Sequence, residues 1–297
     1  MADFEIRALH SIVEFHAVED LQRAVWNSDD LDVTPTHVLL TAAKNGGIVL
    51  GAFSGSQLIG FVFGFLGAGE HRFGSEAPIA VRLKHCSHQM GVLPEWQGRG
   101  VGYALKLAQR DAVHDQSLRL ITWTYDPLES KNARLNILKL GAVSNTYLRN
   151  VYGDLRDGLN HGLATDRFQV DWWIASRRVE TRLKQQRPPL QLHHYTQAGT
   201  TILNPAQFDE NGLLVCAENV KPLPADRVLL EFPSDFQAIK KTKNDLALAW
   251  REQIRSICEH AFKRGFSVID FVYEPGPPAR SFYLLQMIES SESTLSS

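Results

Sequence analysis

Apolar and polar residues follow two different spacings along this chain, and these spacings predict its strands and helices. Alternation with a period of two predicts strands, whereas apolar residues three or four apart predict helices. The first half therefore reads as a mixture of both, with strands at residues 4–8, 47–54, 58–66, 81–92, 118–125 and 168–175 and helices at 12–26, 35–43, 103–113 and 132–140. This mixture predicts a mixed α/β fold with helices flanking a central sheet.

A domain boundary is predicted near residues 176–195, because Arg187-Pro188-Pro189 interrupts the pattern. The predicted domains are residues 1–180 and 195–290, followed by a flexible Ser- and Glu-rich tail at 291–297. The second half contains a faint repeat, since residues 121–127 and 269–275 share the pattern I-x-W/F-x-Y-D/E-P. It predicts a degenerate second copy of the first fold without a phosphate loop; chance similarity between two buried strands is the alternative.

Composition excludes some partners. The formal net charge is -2, from 31 basic and 33 acidic residues, which gives no electrostatic reason to expect nucleic acid. No apolar run approaches the ~20 residues of a membrane span, and residues 1–5 do not resemble a signal peptide. The three cysteines are widely spaced, which is typical of reduced thiols in a cytoplasmic protein. Neither His85-Cys86 with His88 nor His193-His194 predicts a metal site.

A glycine-rich run, Gln97-Gly98-Arg99-Gly100-Val101-Gly102, lies between a predicted strand and a predicted helix. Unpaired backbone N–H groups at a helix N-terminus bind phosphate, and glycines let it approach closely. The run lacks the Lys-Ser or Lys-Thr of a P-loop, and its glycine spacing and position do not fit a dinucleotide fold. It does fit the pattern Q/R-x-x-G-x-G/A. A tight turn that binds no ligand is the alternative.

With its flanks, this run resembles the GNAT superfamily of acyl-CoA N-acyltransferases. The resemblance rests on Gly91-Val92-Leu93-Pro94, the run at 97–102 and Lys139-Leu140-Gly141-Ala142, and it covers residues 5–150 or so. It implies a GNAT-type mixed sheet of about seven strands, followed here by a C-terminal α+β unit. It also implies transfer of an acyl group, acetyl by default, from acyl-CoA to a primary amine by direct attack.

The resemblance also implies which residues hold acyl-CoA. The strand before the loop splays from its neighbour, its backbone pairs with the pantetheine arm, and an N–H there polarises the acyl carbonyl. The loop N–H groups hold the pyrophosphate, and Arg99 adds charge unless it is simply solvated. Asn132 and Asn136 lie four residues apart on one face of the predicted helix, where they can bind the pantetheine amides. Alternatively, Asn132 caps the helix and Asn136 is exposed to solvent. The full set is Met90, Gly91, Val92, Gln97, Gly98, Arg99, Gly100, Val101, Gly102, Tyr103, Asn132 and Asn136.

Proton transfer is less well defined by the sequence. The tyrosine that protonates the leaving thiolate in the family is replaced by Ile137. Either the thiolate needs no protein acid, or Tyr147 or Tyr152 protonates it, each with a core tyrosine as the alternative. His88 is the predicted base, on one strand face with Met90 and Val92; a hydrogen-bonded sheet histidine is the alternative. Asp126 is a further candidate base or a turn residue.

A narrower resemblance concerns the acceptor. Residues 120–128, 139–142, 152–153, 165–168 and 171–173 are similar to a little-annotated bacterial branch of the superfamily, linked by pathway context to N-acyl and N-succinyl amino acids. It implies succinyl-CoA as an alternative donor and a small-molecule amine or amino acid as acceptor. A carboxylate would need a cation, from Arg149, Arg156 or Arg167, although Arg167 can also pair with Asp166 or Asp171. An acyl-CoA sensor without activity is the alternative function, and the sequence leaves the oligomeric state open.

Overall fold

The computed structural model describes residues 4–26, 32–69, 83–153, 163–184 and 188–288. These residues form two compact units, the first within residues 1–123 and the second within residues 124–288. The predictions for Arg156 and for the tail at 291–297 concern residues outside this described part. The predicted boundary near 176–195 stays a prediction.

The first unit is built on a mixed sheet with the strand order β1-β2-β3-β4-β5. Neighbours from β1 to β4 are antiparallel, and β4 runs parallel to β5. A parallel neighbour requires a crossover, which α3 provides between β4 and β5. The elements are β1 Glu5–Ala8, α1 Ile12–Trp26, α2 Thr36–Lys44, β2 Ile48–Ser54, β3 Gln57–Ala68, β4 Leu83–Val92, α3 Val101–Asp115 and β5 Leu120–Tyr125, of which the last two residues belong to the second unit.

Helices cover both faces of this sheet. On one face, α1 buries Phe15, Val18 and Leu21 against the β3 residue Phe61. On the other face α3 packs closely on Gly60 of β3, where an added Cβ would lie 3.2 Å from Val101 and 3.3 Å from Leu105. Gly60 therefore lets α3 approach the sheet, and with α3 comes the loop that precedes it.

The second unit contains an antiparallel sheet with the order β7-β6-β11-β12-β10 and a separate β8-β9 hairpin. The elements are α4 Ser130–Ala133, a π-helical segment Arg134–Lys139, β6 Val143–Leu148, β7 Arg167–Trp173, α5 Arg177–Leu183, α6 Leu192–Gln197, β8 Gln207–Phe208, β9 Leu214–Val215, β10 Arg227–Phe232, α7 Phe236–Thr242, α8 Asn244–Lys263, β11 Phe266–Glu274 and β12 Arg280–Met287. Its core is aromatic. The rings of Phe232 and Tyr283 are stacked with their centroids 4.3 Å apart, and the ring centroid of Phe168 lies 5.5 Å from that of Tyr283.

The predicted mixed α/β class is confirmed, and the predicted strands and helices of the first unit recur with shifts of at most two residues at their ends. The helix expected at residues 132–140 is a short α-helix from Ser130 followed by the π-helical segment. The C-terminal repeat is not confirmed. Its proposed counterparts of β4 and β5 are β10 and β11, which are separated by β12, whereas β4 and β5 are neighbours.

Candidate active site

The glycine-rich loop carries the chain from β4 into α3. Gly98 and Gly100 have φ of 76° and 90°, in the left-handed region that favours glycine. An added Cβ at either would meet no described atom within 4 Å, so the space beside the loop is open. The first helical hydrogen bond runs from Ala104 N to Gly100 O at 3.0 Å, and no side chain caps the helix. The N–H groups of Val101 and Gly102 therefore precede the helical ladder, an arrangement that suits an anion.

A fork opens between the two parallel strands beside this loop. β4 and β5 pair at His85 with Ile121 and at Cys86 with Thr122, and the register between these two strands ends there. Beyond Cys86, β4 continues along β3, to which Ser87 and residues 89–92 are paired. We call the space bounded by residues 87–92 and Trp123 the fork. The splay that the resemblance implied is therefore present, with Met90, Gly91 and Val92 along it.

Several loop residues already have neighbours. The Gln97 amide Nε2 donates to the carbonyl oxygen of Val92 at 3.1 Å, which ties the loop to the end of β4. The guanidinium of Arg99 lies over the Trp96 ring at 5.1 Å, and its side chain is exposed. Met90 packs on Gly102, whose added Cβ would lie 3.5 Å from the Met90 Cε. The loop is thus fixed by contacts on its strand side.

His88 lies in a β-bulge, which corrects one sequence prediction. Along β3, Phe63 and Gly64 are consecutive, but their partners on β4 are Gln89 and Ser87, so His88 has no partner. Simple alternation had placed His88 and Met90 on one face. In the structure Met90 contacts α3, whereas His88 contacts the Phe63 ring, which belongs to the core under α1. A bulge shifts the alternation by one residue, so the two side chains lie on opposite faces.

The surroundings of His88 keep it neutral near pH 7. Its ring centroid lies 5.8 Å from those of Phe63 and of Phe65. Desolvation beside these rings lowers the pKa of His88 from its usual 6.5. The side chain nevertheless remains exposed to solvent. A neutral, accessible imidazole at the bulge can accept a proton.

Asp126 is held in an ion pair in the second unit. Its carboxylate accepts bidentate hydrogen bonds from Arg251 at 2.7 and 2.5 Å, and also one from Leu128 N at 2.9 Å. Both side chains are buried. These contacts fit the turn-residue alternative and leave Asp126 poorly placed to act as a base.

The two asparagines expected to share a helical face have different surroundings. Asn132 lies in α4 and is exposed, whereas Asn136 lies in the π-helical segment and is buried. A hydrogen bond from Leu140 N to Leu135 O, five residues apart, marks the wider turn. Ile137, at the position of the missing tyrosine, is fully buried.

Of the two candidate tyrosines, one is engaged and the other is accessible. The Tyr147 hydroxyl donates to Asp166 at 2.7 Å, and Arg255 donates to the same carboxylate oxygen at 2.7 Å. Burial and the Asp166 carboxylate raise the pKa of Tyr147. Tyr152 is 47% exposed, and its hydroxyl lies 3.0 Å from the Thr124 hydroxyl at the end of β5. Tyr152 is therefore the better candidate acid.

The candidate carboxylate-binding arginines also differ. Arg149 makes a bidentate pair with Glu259 at 2.5 Å for each hydrogen bond. The Arg167 guanidinium lies 5.4 Å from the centre of the Tyr152 ring. Asp166, one of its predicted partners, is bound by Arg255. Arg167 is thus near the accessible tyrosine, and Arg149 is bound to the carboxylate of Glu259.

One buried residue on the site helix was missed by the sequence analysis. Lys106 of α3 is 2% exposed and faces the sheet with Leu105 and Gln109. The available signal was a lysine within the apolar stripe of this helix. In the described residues, no group of three or more His, Cys, Asp or Glu could hold a metal ion, and no helix is long and apolar enough to cross a membrane.

No family profile matches this chain, and no curated protein matches it. Among solved structures, the ribosomal-protein-S18-alanine N-acetyltransferase from Escherichia coli matches with a TM-score of 0.42 and 13% identity over 58% of this chain and 94% of that one. An aminoglycoside 6′-acetyltransferase type Ii matches with a TM-score of 0.44 and 16% identity over 58% of this chain and 99% of that one. An N-acetyltransferase from Staphylococcus aureus Mu50 matches with a TM-score of 0.44 and 13% identity over 58% of this chain and 99% of that one.

Proposed function

We propose that this chain is an acyl-CoA-dependent N-acyltransferase of the GNAT type that acts on a primary amine. The observation that supports this most is the fork between β4 and β5 beside an uncapped helix N-terminus with two left-handed glycines. The space beside Gly98 and Gly100 fits a group that must approach the backbone closely. The pyrophosphate of CoA would bind at the N–H groups of residues 98–102, and its pantetheine arm along Met90 to Val92.

The residues of the first unit suit the early steps of this reaction. Bound acyl-CoA would supply a thioester, whose acyl carbon the amine attacks. A backbone N–H of the β4 residues 90–92 would polarise the acyl carbonyl. The amine must lose a proton, because α-amino groups titrate near ~8 and lysine amines near ~10.4. His88 would accept this proton, since its lowered pKa keeps it neutral at pH 7.

The departing thiolate needs a proton, and Tyr152 is our candidate donor. Tyr152 is exposed, and its hydroxyl forms a hydrogen bond with the Thr124 hydroxyl. Tyr147 is less suited, because it already donates its proton to Asp166. The absence of the usual tyrosine at Ile137 also fits a reaction in which water protonates the thiolate.

The acceptor is proposed as a small-molecule amine. An amino acid acceptor or a succinyl donor adds a carboxylate, for which Arg167 is the candidate because it lies over the ring of Tyr152. Acetyl-CoA is the proposed donor, with succinyl-CoA as the alternative. A sensor would bind CoA without releasing thiol.

The loop assignment is tested by two nearly isosteric variants, Gly100→Asp and Gly100→Asn. Both residue types tolerate a left-handed backbone better than other side chains do, so the strain is similar. Only Asp places a negative charge at the anion site. We expect Gly100→Asp to weaken CoA binding about 100-fold, and Gly100→Asn by no more than about 10-fold, measured by calorimetry.

A matched control lies in the β2–β3 turn. Gly55 also has a left-handed φ, of 58°, and open space around it. Gly55→Asp should leave CoA affinity unchanged. Equal affinity of Gly100→Asp and the unmodified protein would remove the loop from the binding site.

A further inference from the structure

A lysine amine of α3 is buried against the sheet. Lys106 is 2% exposed, and among the described residues it forms no ion pair. Its Nζ donates to the Ser87 hydroxyl at 2.7 Å and to the Gln109 side-chain oxygen at 3.2 Å. Nζ also lies 3.8 Å from the centre of the Trp123 ring. A buried amine is costly, so these neutral partners must hold it closely.

The position of this amine coincides with the point where the fork begins. The last pair between β4 and β5 joins Cys86 with Thr122. The next residues along the two parallel strands are Ser87 and Trp123, and both contact Lys106 Nζ. The amine thus contacts one residue of each strand at the first position where the ladder has ended.

The neighbouring polar groups restrict how Lys106 can move. Gln109, one turn further along α3, also accepts a hydrogen bond from Ser87 at 3.0 Å and lies 3.2 Å from His85 Nε2. Lys106, Gln109 and Ser87 therefore form a closed triangle of hydrogen bonds. This triangle fixes the Lys106 amine relative to β4, and its contact with the Trp123 ring fixes it relative to β5.

We propose that Lys106 is a positioning residue that holds the fork open, acting through Ser87 and Trp123, and thereby sets the affinity for the pantetheine arm of acyl-CoA. This inference rests on the proposed function, because only that function assigns the pantetheine arm to the fork. Without the amine, Ser87 and Trp123 lose their common contact. The ladder can then continue by one more pair, which brings the strands toward the ordinary spacing of about 4.8 Å.

The proposal separates two parts of the same ligand. The glycine-rich loop would bind the phosphates, and the fork would bind the pantetheine arm. The probes are CoA and adenosine 3′-phosphate 5′-diphosphate, which retains the nucleotide and the pyrophosphate but lacks the arm. Calorimetry gives the dissociation constant of each, and the ratio of the two reports the contribution of the arm. A general loss of protein stability would weaken the binding of both ligands by the same factor.

The test variant is Lys106→Met, which keeps the length of the side chain and removes its amine. We expect CoA binding to weaken about 10-fold, with the nucleotide fragment bound within about twofold of the unmodified protein. Lys44→Met is the matched control, because Lys44 is an exposed lysine at the end of α2. It should change neither constant.

A second variant covers a failure of Lys106→Met to fold. Ser87→Ala keeps the amine but removes its hydrogen bond to β4. It should weaken the binding of CoA about threefold more than the binding of the nucleotide fragment. If the unmodified protein binds both ligands and the ratio stays constant in these variants, the role of Lys106 is wrong. If the unmodified protein binds neither ligand, the proposed function is wrong, and this inference falls with it.

Discussion

Replacing Lys106 with methionine should remove a pH dependence of stability that the buried amine creates. Burial lowers the pKa of Lys106 from 10.5 to about 7 in the folded protein, because the charged form loses its hydration. In the unfolded chain the amine is hydrated and keeps its usual pKa. Above pH 7 the unfolded state therefore binds more protons than the folded state, and the free energy of unfolding must rise with pH.

The size of the rise follows from the two pKa values. At pH 7 the folded protein has lost about half of this proton and at pH 9 nearly all of it, whereas the unfolded chain keeps it almost fully at both. One proton difference is equivalent to about 1.4 kcal/mol per pH unit. The free energy of unfolding should therefore increase by about 2 kcal/mol between pH 7 and pH 9, with the penalty fully present below the folded pKa.

Urea unfolding of the unmodified protein and of Lys106→Met at several pH values measures this effect. Other nearby groups also titrate, among them Cys86, whose pKa is raised by burial, and His85, whose pKa burial lowers to about 4. Both occur in the two proteins, and the charge of Lys106 acts on both, so the difference between the curves reports Lys106 together with its coupling to these two groups. Lys44→Met should parallel the unmodified protein. Parallel curves for Lys106→Met would mean that the amine titrates normally, and the burial argument would be refuted.

Three further outcomes are expected. His88→Gln should abolish the fall in turnover below pH 6.5, seen in a pH–rate profile, because the lowered pKa of His88 sets that limb; a retained limb would exclude His88 as the base. Arg251→Met should lower the free energy of unfolding by about 3–5 kcal/mol, since it leaves Asp126 charged and buried; adding Asp126→Asn should restore part of it, and no recovery in urea unfolding would contradict this. Tyr152→Phe should slow thiol release at least tenfold, whereas Tyr147→Phe should mainly reduce stability; the reverse order would exchange their roles.

The loop and its flanks could be predicted from sequence because their geometry is local. Gly98 and Gly100 adopt left-handed φ values that few other residues tolerate, and the helix begins directly after them. By contrast, the polar strand β6, Val143–Leu148, was not predicted. Only its first two residues are buried, so it has almost no apolar alternation to recognise.

The roles of single side chains depended on contacts that sequence spacing does not contain. The partner of Asp126 is Arg251, 125 residues further along the chain. The bulge at His88 depends on the register with β3, which a strand pattern cannot give. The buried state of Lys106 depends on Ser87 and Trp123, which come from two other elements. Propensity describes elements well, but it does not say which polar residue is enclosed between them.

The most direct test of the account is a thiol-release assay with acetyl-CoA and succinyl-CoA, each against a panel of amino acids and polyamines. We expect amine-dependent thiol release that is lost in Gly100→Asp and retained in Gly55→Asp. Release with succinyl-CoA and an amino acid would point to Arg167 as the carboxylate ligand. Tight binding of CoA without thiol release on any amine would contradict the proposed activity and favour a sensor.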